Sequence, residues 1–315
     1  MSHDHSGHAH DDDPHDKSHA HVHAPHNFGR AFAIGIALNL GFVVIEAVYG
    51  LMSNSVALLA DAGHNLGDVL GLGVAWLASV LASRAPTARF TYGMRGSSIL
   101  AALFNAVFLL VVVGGLSWEA LRRLGSPEPV AGKTMVAVAA VGIVVNAVTA
   151  WLFASGRKQD LNLRGAFLHM ASDALVSIGV VAAGLAILLT GWLWLDPLVS
   201  LVINGVIVWS TWGLLRDSLG MSMAAVPAEI DPAAVRQFLV SRTGVVAVHD
   251  LHIWSMSTTE NALTCHLVMP GGHPGDAFLH ELARDFARRF RIVHTTVQIE
   301  VDPHMACALA PDEVV

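Results

Sequence analysis

Six stretches of this chain stay apolar for more than 20 residues, at 31–52, 56–82, 97–121, 134–155, 165–189 and 194–215. A helix needs about 20 residues to cross a bilayer core of about 30 Å, so each stretch predicts a membrane-spanning helix. Residues 1–28 hold almost nothing apolar and predict a disordered, His-rich tail. From Arg216 onward the apolar runs shorten to the periods of a soluble fold. Helices are expected at 232–242 and 276–290, and strands at 247–256, 262–269 and 295–301. That order suits a small α+β domain of the ferredoxin-like kind. The fold class expected is an all-α, six-helix transmembrane domain followed by this α+β domain. The divisions are 1–28 (tail), 29–217 (membrane), 218–305 (soluble domain) and 306–315 (C-terminal tail).

Composition agrees: 54% of the 315 residues are hydrophobic and only 14% charged, against about a quarter charged in soluble proteins. The N-terminus lacks the basic start and apolar core of a secretory signal. A net charge of −7 with no basic patch argues against a nucleic-acid partner. Two cysteines, Cys265 and Cys307, rule out a disulfide framework and suit a reducing compartment. Six spans put both termini on one side of the membrane. Arg84, Arg89, Arg95, Arg157, Lys158 and Arg164 in the loops after spans 2 and 4 make that side the cytoplasm. Arg122, Arg123 and Lys133 run against this pattern, beside Glu119 and Glu128. The expected location is the bacterial inner membrane, in contact with lipid.

Ionisable groups inside spans cost about 2.5–3.5 kcal/mol each on insertion scales, yet span 2 holds Asp61, His64 and Asp68 and span 5 holds His169 and Asp173. Both spans contain His-x-x-x-Asp, and residues four apart share a helix face. Two such faces together offer two imidazoles and two carboxylates, a tetrahedral N/O set suited to zinc. Asp61, one turn before His64, is open between a supporting role and a helix-end role. Asn39, Glu46, Asn146 and Asn204 read as hydrogen bonds between packed helices. Asp196-Pro197 reads as the capped start of span 6. Two carboxylates would neutralise a divalent ion, and protons should replace the ion when it leaves. Exporting two uncompensated charges costs about 4.6 kcal/mol per 100 mV, so export needs coupling to protons.

With six spans, His64/Asp68, His169/Asp173 and a soluble domain containing Val-His-Asp-Leu-His-Ile-Trp at 248–254, the chain resembles the cation diffusion facilitator family. The resemblance implies a homodimer in which each protomer carries its own transport site at His64, Asp68, His169 and Asp173. It also implies a preference for zinc over cadmium, tied to the His-Asp pairing in span 2. The soluble domain resembles the family's cytosolic domain, which pairs with its twin and binds regulatory metal. Its position-matched candidate ligands here are His249, His266, His294, Glu300 and Asp302, with His280 a further possibility. Many relatives carry a histidine or acid in the loop after span 2. Here that loop reads Arg-Phe-Thr-Tyr-Gly-Met-Arg-Gly-Ser-Ser at 89–98, and no metal is expected there.

The expected function is proton-coupled export of Zn2+ by alternating access, with divalent metals and protons as the exchanged partners. A sensor that binds without transporting, and a pH-independent channel, are the alternatives. An enzyme is not expected: His280-Glu281 lacks the second histidine of a zinc-protease helix, since position 284 is arginine. His252 and His273 read as structural or solvent-facing, and His304-x-x-Cys307 has ligand spacing at a chain end.

Overall fold

The computed structural model describes residues 29–154, 161–302, 304 and 307–310. The His-rich tail lies outside them, as do Arg157 and Lys158 of the loop after span 4. Six long helices come first: α1 (Gly29–Ser53), α2 (Val56–Ala82), α3 (Ser97–Gly125), α4 (Gly132–Ala154), α5 (Leu161–Thr190) and α6 (Leu195–Ser222). At 1.5 Å per residue, the shortest of them, 23 residues, is about 35 Å long, enough to cross the hydrocarbon core. Large apolar side chains cover their outer surfaces, among them Phe104, Trp151, Leu189 and Trp209, as expected where lipid is the solvent.

The helices do not pack evenly. α4 lies along α5, and α2, α3 and α6 pack on one another, with α1 touching both α2 and α4. Between α2 and α5 the contact is thin. Small residues permit the close approaches elsewhere: a Cβ on Gly142 of α4 would come within 2.6 Å of Phe42 and 3.1 Å of Ser177.

Two polar anchors, the second of them buried, fix the end of the bundle where α1 turns into α2. Asn54 adopts a left-handed conformation (φ 56°), which asparagine tolerates better than most residues. Its amide donates to Glu128 Oε2 at 2.9 Å, and Arg123 donates to its Oδ1 and backbone oxygen at 2.8 and 2.7 Å. Arg123 also pairs with Glu119 and Glu128, so an arginine that opposes the loop-charge pattern is neutralised where it stands. The second anchor corrects the sequence reading. Asp196 does not cap its own helix; α6 starts after Trp194, which makes no side-chain cap. Asp196 instead accepts hydrogen bonds from Ser55 Oγ, from Val56 N at 2.8 Å and from Ala57 N at 3.3 Å. It thus caps α2, whose first N–H groups and positive dipole end favour a carboxylate.

The C-terminal domain runs α7 (Pro232–Val240), β1 (Ala247–Ser255), β2 (Asn261–Val268), α8 (Asp276–Phe290) and β3 (Ile292–Glu300). Asp231 caps α7 through Ala233 N at 2.9 Å, with proline in the first turn. The sheet order is β1-β2-β3, β1/β2 antiparallel and β2/β3 parallel. Val235, Leu239, Leu263, Leu267, Leu282, Phe286 and Ile292 form the core between helices and sheet. β3 begins three residues before the sequence expectation because Ile292 is buried and pairs with Asn261. Arg95 and Glu260 form an ion pair between this domain and the loop before α3, and Thr258 N donates to Ser98 Oγ at 3.1 Å.

Candidate functional site

On α2, His64 and Asp68 stand one turn apart on the side facing α5, and on α5 His169 and Asp173 do the same facing α2. The structure brings all four together. His64 Nε2 lies 3.3 Å from Asp173 Oδ1, and His64 Nδ1 lies 3.7 Å from Asp68 Oδ2. His169 Nε2 lies 3.1 Å from Asp68 Oδ2 and 3.7 Å from Asp173 Oδ2. The imidazoles meet edge to face with centroids 6.0 Å apart. Four ligands at about 2.0–2.1 Å from a tetrahedral zinc would stand about 3.3 Å from one another, close to these separations. His64, Asp68 and Asp173 each offer one donor atom within a 4.8 Å set; His169 stands at its edge.

Burial is uneven across the four. Asp173 is 1% exposed, while His169 is 39% exposed. Both Asp173 oxygens and Asp68 Oδ2 are buried, and among the described residues only the ring nitrogens of His64 and His169 come near them. Buried carboxylate oxygens with few donors are costly, and a bound cation or protons would satisfy them. Asp61, one turn earlier on α2, accepts from Ser177 Oγ at 3.2 Å rather than joining the four.

A second cluster forms on the small domain. His249 and His266 face each other across β1 and β2. Glu300 Oε1 lies 3.3 Å from His249 Nε2 and 3.0 Å from His266 Nδ1. Cys307 Sγ lies 3.7 Å from His266 Nδ1. These four offer ligand atoms within 4.8 Å of one another. Between His249 and His252, β1 carries two residues opposite one on β2, with Asp250 left-handed at φ 50°. In an unbroken strand Asp250 would point away from His249; the bulge turns it back. Its oxygens then reach His252 Nε2 at 2.8 Å and His266 Nε2 at 3.3 Å.

Burial acts to raise the Glu300 pKa, but the hydrogen bond from Cys307 and the nearby His249 outweigh it, leaving the carboxyl below its usual value. Burial pushes the neighbouring Cys265 thiol up to about 12, so it stays a neutral thiol at physiological pH.

Of the other candidates on this domain, His294 packs edge-on against Tyr92, with ring centroids 5.3 Å apart. It sits six residues from Glu300 on the same strand, about 20 Å away at strand rise. Asp302 accepts from His304 N at 2.9 Å. His280 is exposed on α8, and His273 Nδ1 accepts from Gly275 N at 3.1 Å. Asp250 is the member that sequence reasoning missed. Its neighbours at 249 and 252 were the visible signal, but the bulge that aims it was not.

Known families and relatives match the whole chain beyond the tail. The family model for the cation efflux transmembrane domain matches residues 32–221, and that for the cation efflux protein cytoplasmic domain matches residues 227–302. The chain is 34% identical over 287 residues to the cadmium, cobalt and zinc/H(+)-K(+) antiporter of Bacillus subtilis, covering 89% of this chain and 92% of that one. It is 36% identical over 286 residues to the metal cation efflux system protein CzcD of Cupriavidus metallidurans, covering 90% of each. Against the zinc transporter ZitB of Escherichia coli it is 35% identical over 292 residues, covering 92% and 93%. The solved metal-bound C-terminal domain of the CzcD transporter is 36% identical, over 22% of this chain and 99% of its own, with a TM-score of 0.21.

Proposed function

The chain belongs to the cation efflux family, also called the cation diffusion facilitators, and on that premise we propose that it exports Zn2+ from the bacterial cytoplasm in exchange for protons. It is a multi-pass membrane protein of metal cation efflux, not an enzyme. The observation that carries the proton-exchange reading is the quartet His64, Asp68, His169 and Asp173, whose buried carboxylate oxygens have only the two imidazoles as partners among the described residues. Zn2+ as substrate would take one ring nitrogen from each histidine and one oxygen from each aspartate. Without it, His64 and His169 lie close enough to share protons with both carboxylates. The same atoms therefore serve either cargo, and only one at a time.

The thin contact between α2 and α5 supports alternating access. The quartet spans the α2–α5 seam, bridged on either side by α1 against α4 and α5 against α6, so a small rocking of α4–α5 against α2–α3–α6 would open the site by sliding at those lighter contacts. The energy has to come from the counter-ion, since moving a divalent ion outward costs about 4.6 kcal/mol per 100 mV. The B. subtilis relative's name includes H(+) antiport. In this reading both termini and the small domain face the cytoplasm, in the inner membrane. The small domain pairs with its twin in a homodimer. There, His249, His266, Glu300 and Cys307, with Asp250 beside them, would hold a regulatory metal ion.

The test is Zn2+ flux in proteoliposomes with and without an imposed pH gradient, comparing wild type with His64→Asp. Gradient-dependent flux, with Cd2+ admitted only by the variant, is the expected result. Flux indifferent to the gradient would make the protein a channel or facilitator, and absence of flux for any metal would make it a sensor.

A further inference from the structure

One turn from the quartet, toward the α1–α2 turn and away from the small domain, two more acids are buried without a cation. Glu46 of α1 and Asp61 of α2 have no exposed surface. No lysine or arginine pairs with either among the described residues. Asn65 Nδ2 donates to Glu46 Oε2 at 3.1 Å, and Ser177 Oγ donates to Asp61 Oδ2 at 3.2 Å. The remaining oxygens, Glu46 Oε1 and Asp61 Oδ1, find no donor among the described residues, and Asn65, which holds Glu46, stands one helical turn after Asp61 on the same face of α2. Carboxylates are acceptors only, so a hydrogen bond between the two requires a proton that one of them brings. Two bare carboxylates in contact in a bilayer would repel and be poorly solvated, whereas one shared proton removes half the charge and fills the contact.

The remaining groups facing the pair are His64 on α2 and Asp173 on α5. α4, packed against α1, carries no ionisable side chain between Thr134 and Leu152. The nearest charges that can change are therefore the transport ligands themselves.

We propose that Glu46 and Asp61 share one proton and act as a proton-holding station coupled to the transport site, with Asn65 and Ser177 as its positioning residues. The inference rests on the antiport reading above. When Zn2+ loads at His64 and Asp173, its positive charge expels the shared proton from the carboxyl oxygen to water on the cytoplasmic side. When Zn2+ leaves, a proton from the outer side re-forms the O–H bond. The metal and this proton occupy different atoms, so exchange extends beyond competition for the quartet.

Glu46→Gln tests this. Glutamine keeps an acceptor for Asn65 and offers Asp61 a permanent N–H, mimicking a proton that cannot leave. Two fluxes are compared in proteoliposomes with Zn2+ alone as probe: uptake driven by a pH gradient, and zinc-for-zinc exchange without one. The expected result is a fall of about tenfold or more in the driven flux relative to exchange. In parallel, infrared spectra of zinc-free wild type should show a protonated-carboxyl band that disappears on adding Zn2+ and is absent from Glu46→Gln. Asp61→Asn, judged by the same flux ratio, is the second variant should Glu46→Gln fail to fold. Wild-type flux indifferent to the gradient would overturn the antiport reading and this inference with it. Normal driven flux in Glu46→Gln, or an equal loss of both fluxes, would overturn the inference alone, the latter by showing a structural role.

Discussion

The membrane quartet and the small-domain cluster are made of the same groups, imidazoles and carboxylates, but they are held in opposite ways. The quartet straddles a seam where α2 and α5 scarcely touch, and the buried oxygens of Asp173 have only the ring nitrogens of His64 and His169 near them among the described residues. The cluster lies within one sheet: His249 and His266 are a cross-strand pair and Glu300 comes from the adjoining strand. Its acids are already engaged, Asp250 with His252 and His266 and Glu300 with His249, His266 and Gln298. A site walled by two helices that scarcely touch suits a cargo that must come and go. One whose histidines and glutamate are carried by a single sheet suits an ion that stays.

The hardest test of that contrast is Asp173→Ala. Outer partners of metal ligands already cost 10–100-fold when removed, so loss of a ligand itself should lower Zn2+ flux by about 100-fold or more. The variant should still insert and dimerise, as gel filtration in detergent would report. Full flux from a well-folded Asp173→Ala would remove it from the ligand set and undo the comparison.

Asp250→Ala strikes the other side. If the bulge exists to aim this carboxylate at His266, its loss should weaken zinc binding at the cluster by about 10–100-fold. Calorimetric titration of the full-length protein, with the membrane quartet left intact, measures this. Flux at saturating Zn2+ should change far less than in Asp173→Ala. An equal collapse of flux would mean that the cluster is part of the transport path, and the two sites would no longer be distinct in kind.

The two sites also differ in how far the sequence discloses them. A helix repeats its faces every three to four residues, so His64/Asp68 and His169/Asp173 could be paired by spacing alone, and the structure places the four together. The cluster depends on strand register and on a bulge, neither of which has a fixed spacing. His249, His266 and Glu300 come together, but His294 lies far along β3 and Asp302 turns to the backbone of His304. Asp250 enters only because it adopts a left-handed conformation. Cys307 lies beyond the end of β3, where no strand period could place it. Asp196 shows the same limit in the membrane. Its position before Pro197 suggested a cap for α6, whereas packing delivered it to the start of α2.

That misplaced cap gives a third, smaller prediction, which sharpens the contrast by testing how firmly α2 itself is fixed. Asp196→Ala would leave the Ser55 hydroxyl and the Val56 and Ala57 N–H groups without their buried acceptor. A lost cap or an unmet buried donor costs about 1–3 kcal/mol. The thermal midpoint in detergent should fall accordingly, and flux should fall less than in Asp173→Ala. An unchanged midpoint would show that water replaces the carboxylate and that α2 is held mainly by α1 and α3.

The weakest effect belongs to the contact joining the two regions. Arg95, from the loop before α3, pairs with Glu260, from the turn between β1 and β2; their side chains are 40% and 35% exposed. Beside them a cavity of about 500 Å³ separates Ala78 and Asn105 of the membrane helices from Thr258 and Thr259 of the turn. Exposed pairs contribute about 0–1 kcal/mol, so Arg95→Ala and Glu260→Ala should barely alter stability, whether singly or together. Their value lies in a double-mutant cycle on the response of flux to zinc bound at the cluster. If the cluster acts on the quartet through this turn, the two single variants should blunt that response equally and the double variant no further, because each removes the same link. Additive effects would mean that the residues act independently, and any influence of the cluster on transport would have to travel through the end of α6 instead.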